Sequence, residues 1–230
     1  MMKYLSRNKI YEKVEPQNDA KKVYIFCEGE DREVTYFKYF QGFSSNIDII
    51  PIPNDKGKSD PVKLKENAVS LFLSDRPKYR LNEEYADEIW FVIDTDRWNE
   101  KNQIQQLKDF CKANNQAYNG WKLAQSNPCF ELWLYYHFFD SKPKESDMKP
   151  FSGFKEYVNH QIKGGFDNRS MPIELEAAIN NASKNFETHN SQPKLLSTEV
   201  HNLGVVILPF VKIQLDKAKE MKANQYPFRR

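Results

Sequence analysis

Short apolar runs alternate with segments of helical period along the first two thirds of the chain. Val23 to Cys27 is an uninterrupted apolar run, as expected of a strand buried on both faces. After it Glu33, Phe37 and Phe40, flanked by Tyr36 and Phe43, recur at spacings of three and four, which predicts a helix. "IDIIPI" (Ile47 to Ile52) predicts a second strand, the polar "PNDKGKSD" a loop, and Val62 to Leu73 a helix with Leu64, Ala68, Leu71 and Phe72 on one stripe. "EIWFVIDTD" (Glu88 to Asp96) is the clearest strand, an apolar and aromatic run that ends on acid. Ile104, Leu107, Phe110 and Cys111 make the next helix amphipathic, and "WKLAQ" (Trp121 to Gln125) is a weaker fourth strand. "SNPCFELWLYYHFF" then opens a helix, with Asn127 as its cap and Pro128 at its first position.

This alternation predicts an α/β fold with a mainly parallel sheet of about four strands flanked by helices. From about Ser141 the strand signals fade. "FKEYVNHQIKGG" reads as a helix closed by glycines, Ile173 to Phe186 as another, and Ser197 to Met221 as a helix broken or kinked at Pro209. The expected organisation is a basic N-terminal arm (1–20) carrying Lys3, Arg7, Lys9 and Lys13, a sheet domain (21–145), and a helical extension (146–230) packed on it.

Composition narrows the classes. The chain has 230 residues, 40% of them hydrophobic, which suits one domain with appendages or two small ones. Lys and Arg number 34 against 32 Asp and Glu, a balance that neither demands nor excludes a nucleic-acid partner. No apolar run reaches the length of about 18 residues that a membrane span needs, and the N-terminus lacks a signal-peptide centre, so a cytoplasmic protein is expected. Cys27, Cys111 and Cys129 show no C-x-x-C spacing, which argues against a disulfide framework or a zinc knuckle and for packed thiols.

Candidate chemistry gathers where strands end. In "VYIFCEGEDREVTYFKYF" the first strand empties into acids, Glu28 directly after it and Glu33 in the helix that follows. Asp94 and Asp96 close the third strand, and Glu131 lies in the first turn of the helix after the fourth. Ligands of open parallel sheets bind at the carboxyl ends of the strands, so Glu28, Asp94, Asp96 and Glu131 are expected on one rim. Crowded carboxylates repel unless protonated or bridged by a cation, and Mg²⁺, an oxygen-seeking ion often held by one or two carboxylates and water, suits them. The competing reading treats Asp94 and Asp96 as turn residues and Glu33 and Glu131 as acids that offset helix dipoles.

Other residues give less. His137 follows Trp133 by four on an apolar face and reads as a core histidine; Trp133, Tyr135 and Tyr136 read as packing. Ser197, Thr198 and His201 lack a nucleophile elbow and read as a capped helix start. Lys56, Lys58 and Lys63 read as solvated lysines beside the rim.

At "FCEGEDREVTYF", "WFVIDTD", "SNPCFELWLYYHF" and "STEVHNL" the chain resembles the RloB-like family of prokaryotic defence-associated proteins, related to the Toprim domains of topoisomerases, primases and OLD-type nucleases. The resemblance spans about Val23 to Leu203. It implies a Toprim-like, Rossmann-like fold in which Glu28 is the acid/base and metal-site glutamate, Asp94 and Asp96 bind magnesium, and Glu33 and Glu131 hold a second ion. Arg32 stands where relatives often carry Thr, and Arg97 and Trp98 follow the D-x-D where another acid is common; both departures weaken the two-metal form, and one-metal and two-metal forms stay open. The activity implied is a Mg²⁺-dependent nuclease, with Mn²⁺ as substitute, acting on DNA or RNA, including tRNA, in antiviral defence by abortive infection. A partner protein of a defence system and a homo-oligomer belong to the same expectation. The rival is a regulatory subunit that binds a nucleotide or nucleic acid at the same rim without cutting; nucleotidyl transfer is a third reading.

Overall fold

The computed structural model describes residues 13–29, 31–54, 60–95 and 102–225. Asp96, Arg97, Trp98, Lys56, Lys58, Lys3, Arg7 and Lys9 therefore lie outside the described residues.

Three successive strand–helix units build the sheet. Strand β1 (Lys21–Cys27) leads into helix α1 (Arg32–Lys38), β2 (Ile47–Ile52) into α2 (Pro61–Ala68), and β3 (Glu88–Asp94) into α3 (Gln103–Asn114). Strand β4 (Trp121–Asn127) follows, and β1 to β4 lie parallel in the order β2-β1-β3-β4. Helix α2 starts where its sequence says it should: Pro61 fills the first position and the Asp60 carboxylate accepts the Lys63 N–H at 2.9 Å. It continues as a π-helical turn over Val69–Leu73.

The apolar runs are continuous because both faces of the sheet are covered. Val23, Ile25 and Cys27 of β1 join Trp90 and Val92 of β3 on one face, while Tyr24, Phe26, Ile89, Phe91 and Ile93 line the other beneath α2 and α3. The first face meets α1, α4 (Glu131–Tyr135), α6 (Phe154–Gln161), α7 (Leu175–Lys184) and α8 (Val200–Gln225) in one apolar cluster. A short α5 (Glu145–Met148) precedes α6, and glycines 164 and 165, both at positive φ, follow it. Chain turns lead through a small hairpin of β5 (Thr188–His189) and β6 (Gln192–Pro193) to β7 (Ser197–Thr198).

The structure departs from the expected elements in two places. Ser197 and Thr198 do not begin the last helix; they form β7, an antiparallel fifth strand paired with Ser126 and Asn127. That partner extends β4 to Asn127, so Asn127 is not a helix cap: its side-chain amide donates to the Pro193 carbonyl at 2.9 Å. The Asn127–Pro128 peptide is cis, and α4 begins only at Glu131. Helix α8 runs through Pro209 without interruption. No helix among the described residues is long and apolar enough to cross a membrane.

Two packing details carry predictions. A Cβ at Gly204 of α8 would stand 2.8 Å from Ile179 Cγ1 of α7 and 3.3 Å from the Trp133 ring. Gly204→Ala is therefore expected to destabilise by about 1–2 kcal/mol in urea unfolding, because overpacking exceeds the gain in helix propensity.

His137 is the core histidine its sequence position predicts, its ring between the Tyr36 hydroxyl at 3.1 Å and the Trp133 carbonyl at 3.0 Å. Burial lowers its pKa from 6.5 to about 3. The neutral ring's contribution to stability is thus present above pH 6.5 and is lost as pH falls from there toward 3. Unfolding free energy should drop by a few kcal/mol between pH 7 and pH 4, and His137→Gln should flatten that part of the profile.

Candidate metal centre

The first acid is set by the end of β1. The strand's pairing with β3 carries one residue past Cys27, where the Glu28 N–H donates to the Val92 carbonyl at 3.2 Å. The Glu28 side chain turns back to β3 and accepts the Asp94 N–H at 2.8 Å through Oε2. The two acidic strand ends are thereby tied to each other.

Asp94 is held from its other side. Its Oδ1 accepts the Phe130 N–H at 2.8 Å, the amide just ahead of α4. That bond places Glu131, at the start of α4, beside the β3 rim. Glu131 Oε1 pairs with the Arg32 guanidinium from the start of α1, so the helices after β1 and β4 meet over the site. Glu33, one residue further along α1, packs its carboxylate against Gly29, where a Cβ would clash with Glu33 Oε2. Glu28, Glu33, Asp94 and Glu131 are all buried.

Lys155 of α6 reaches the same place from the helical half, with Nζ 3.8 Å from Asp94 Oδ2 and 3.9 Å from Glu131 Oε2. Those distances are ion pairs too long for hydrogen bonds. Glu131 Oε2 is buried and has no hydrogen-bond partner. The Asn168 side chain also joins the halves, donating to the Arg32 carbonyl at 3.1 Å.

The electrostatics follow from this crowding. Burial foremost, then the carboxylates of Glu28, Glu33 and Glu131, push Asp94 well above the ordinary carboxylate range, with Lys155 opposing. Glu33 is raised as well, chiefly by burial, with Glu131 adding to it. Cys129, also buried, lies between the β4 end and Glu131, and burial followed by Glu131 and Asp94 pushes its thiol up. Ligand atoms of Asp94, Cys129 and Glu131 all lie within 4.8 Å of one another.

Of the five acids expected at the rim, the structure gathers Glu28, Glu33, Asp94 and Glu131; Asp96 lies outside the described residues. Sequence reasoning missed two participants. Cys129, two residues before Glu131 in "SNPCFELW", reads as a packed thiol and is free and buried, with its Sγ near Asp94 and Glu131. Arg32 was noted only as a departure, although it is the cation that meets Glu131. Nothing in the sequence connects Lys155 to Asp94, 61 residues earlier, because the link is made by helix packing alone.

The other candidates are structural. Ser197 Oγ accepts the Glu187 N–H at 3.0 Å, Thr198 Oγ1 pairs with Ser126 Oγ at 2.8 Å, and His201 Nδ1 meets the Thr198 carbonyl at 2.7 Å, so the three do not form a relay. Trp133, Tyr135 and Tyr136 are buried in the core, and the three cysteines are free and buried. Lys63 pairs with Glu66 on the surface.

A mainly parallel α/β sheet that presents buried carboxylates at its strand ends defines a protein with a candidate acidic metal site. The family model described as RloB-like protein matches residues 23–204, and the chain belongs to that family. No curated protein matches the chain. No solved structure does either.

Proposed function

We propose that this protein is a metal-dependent nuclease that hydrolyses phosphodiester bonds of DNA or RNA, in antiviral defence of the kind its family implies. The observation that carries this reading is the convergence of Glu28, Asp94 and Glu131, from three separate segments, on one buried rim. The donor set fits a hard divalent cation, Mg²⁺ or Mn²⁺: it offers carboxylate oxygens, and Glu131 Oε2 is a buried acceptor lacking a hydrogen-bond donor. Glu28, Asp94 and Glu131 would hold the ion, with Glu33 at its margin and Asp96 added by the family resemblance. When bound, such an ion polarises the phosphate and makes a ligated water more acidic.

The chain's own groups supply the rest. Asp94, fixed by the Phe130 N–H, keeps its carboxylate aimed at the rim. Glu28, anchored by the Asp94 N–H, takes a proton from the attacking water. Arg32 and Lys155 enter the site with side chains 43% and 60% exposed, so each can turn from its carboxylate partner to a substrate phosphate. Lys155→Met is expected to weaken nucleic-acid binding several-fold, raising KM more than it lowers kcat, as measured in steady-state cleavage.

Cleavage of plasmid, single-stranded DNA and total RNA with Mg²⁺ or Mn²⁺ tests the proposal, with Glu28→Gln and Asp94→Asn as controls. Wild type should cut at least one substrate and both variants none. If all three proteins leave every substrate intact while still binding it, the nuclease reading fails.

One observation favours the rival, a non-cleaving binding subunit. Arg32 and Lys155 already counter Asp94 and Glu131, so those two acids have counter-charges without an ion. Substrate binding indifferent to divalent cations would support that reading.

A further inference from the structure

We infer that the outer edge of β4 is a second ligand site, separate from the acidic rim, and that it takes a nucleoside monophosphate, with the base against the backbone of Leu123 and the phosphate at Lys108 and Lys112. The edge is closed at both ends and open in the middle. At one end β7 pairs with Ser126 and Asn127, and Glu199 continues it: its N–H donates to the Gln125 carbonyl at 2.9 Å and its Oε2 accepts the Gln125 N–H at 3.1 Å. The chain then leaves the sheet as α8, which starts at Val200. At the other end the Asn115 side chain takes the place of a strand, accepting the Trp121 N–H and donating to the Trp121 carbonyl, both at 2.8 Å. Alternate residues of a strand turn their N–H and C=O to the same edge, so Leu123 faces outward like Trp121 and Gln125. No group among the described residues bonds its N–H or C=O there.

The gap is one residue long. A partner strand would need Trp121 and Gln125 as well, which excludes strand addition. A compact planar group with an acceptor beside an N–H donor is what fits. The Asn115 carboxamide satisfies one residue of this very edge in that way, and a nucleobase carries the same pair, as in the ring nitrogen and amino group of adenine.

The surroundings supply the rest. A cavity of about 640 Å³ lies against Leu123, lined also by Lys108, Lys112, Asn119 and Glu199, and its volume falls in the range of small-molecule sites. A smaller one of about 410 Å³ meets Leu123 from the side of α8, so a base at this edge has room on both faces of the sheet. Lys108 and Lys112 stand one turn apart on α3. The Lys108 Nζ donates to the Ser191 carbonyl at 2.8 Å, which ties the β5–β6 hairpin to α3, and its ammonium keeps further donors for a phosphate. Two lysines outweigh the Glu199 carboxylate, which favours an anionic nucleotide over a neutral nucleoside.

AMP titrated into the full chain in EDTA, followed by calorimetry, tests this apart from the acidic rim, where no divalent cation is then present to hold a phosphate. One saturable site with Kd below about 1 mM is expected. Inorganic phosphate should compete at least about tenfold more weakly, since it lacks the base. Ethenoadenosine monophosphate, whose extra ring blocks the acceptor and donor of the base, should also bind about tenfold more weakly than AMP. Lys112→Glu, an exposed change, should cost AMP about tenfold. Leu123→Pro removes the N–H that faces the gap and leaves the ladder to β3 intact, and it should weaken AMP to a similar degree.

Absence of saturable AMP binding overturns the proposal. Equal binding of AMP and its etheno derivative, or equal competition by phosphate, overturns it by leaving only an anion site, and unchanged affinity in Lys112→Glu does so by placing AMP elsewhere. The etheno comparison uses wild type alone, so it decides even if Leu123→Pro does not fold. Failure of the nuclease reading would leave all of these results unmoved, because none of them involves cleavage or a metal ion.

Discussion

Asp94→Asn is expected to abolish nucleic-acid cleavage, by about 10²–10⁴-fold, and at the same time to raise the melting temperature of the metal-free protein. The two effects share one cause. Asp94 is buried beside three other acids, and burial and those acids push its pKa well above the ordinary range. A raised carboxyl pKa means that the folded state binds a proton more tightly than the unfolded chain. Stability is then highest at low pH, falls as pH rises above the ordinary Asp value, and levels off past the raised folded-state value. Near neutral pH the charge is therefore a cost to folding. Asparagine keeps Oδ1 to accept the Phe130 N–H and removes that charge, so stability gains what the site loses. Calorimetric melting of both proteins with and without divalent cation checks this: the cation should raise the melting temperature of wild type and leave Asp94→Asn nearly unmoved. A variant that melts lower than wild type without metal would refute the account.

Arg32→Met should act in the opposite direction. Glu131 is buried, and its Oε1 relies on the Arg32 guanidinium. Loss of a partner to a buried charge costs about 3–5 kcal/mol in a dry site. The Arg32 side chain is 43% exposed and Lys155 lies 3.9 Å from the other oxygen of Glu131, so solvent and the second cation reduce the expected loss to about 1–3 kcal/mol. Divalent cation should restore part of it by taking over the role of counter-charge at Glu131. Urea unfolding with and without Mg²⁺ measures both quantities. If Arg32 also meets substrate phosphate, cleavage will stay low after stability is restored.

The resulting picture is of a rim in which cations from two helices stand in for an ion. Arg32 of α1 points at Glu131 of α4, and Lys155 of α6 at Asp94, which closes β3. The same residues would then serve a phosphate once an ion takes their place, which makes them participants in either proposed function rather than neutral scaffolding.

Much of this was legible in the sequence, and the reason is local. A strand covered on both faces has to be apolar throughout, so Val23–Cys27 and the run ending at Asp94 declared themselves, and acids placed directly after such runs fall at the carboxyl rim of any parallel sheet. That rule reaches Glu28, Asp94 and Glu131, whereas Glu33, further along in the helix, enters only through the family resemblance. What failed depended on partners remote in the chain. Ser197 and Thr198 read as a helix start until β4 offered them an edge to pair with, and Asn127 read as a cap until that same pairing drew it into the strand. The counter-charges were likewise settled only by packing: the docking of α6 brings Lys155 to Asp94, and the meeting of α1 with α4 brings Arg32 to Glu131. Sequence pattern determined which residues reach the rim, since burial and strand period act over a few neighbours. The tertiary structure decided what those residues face there, because charge and hydrogen-bond partners are set by distance in space.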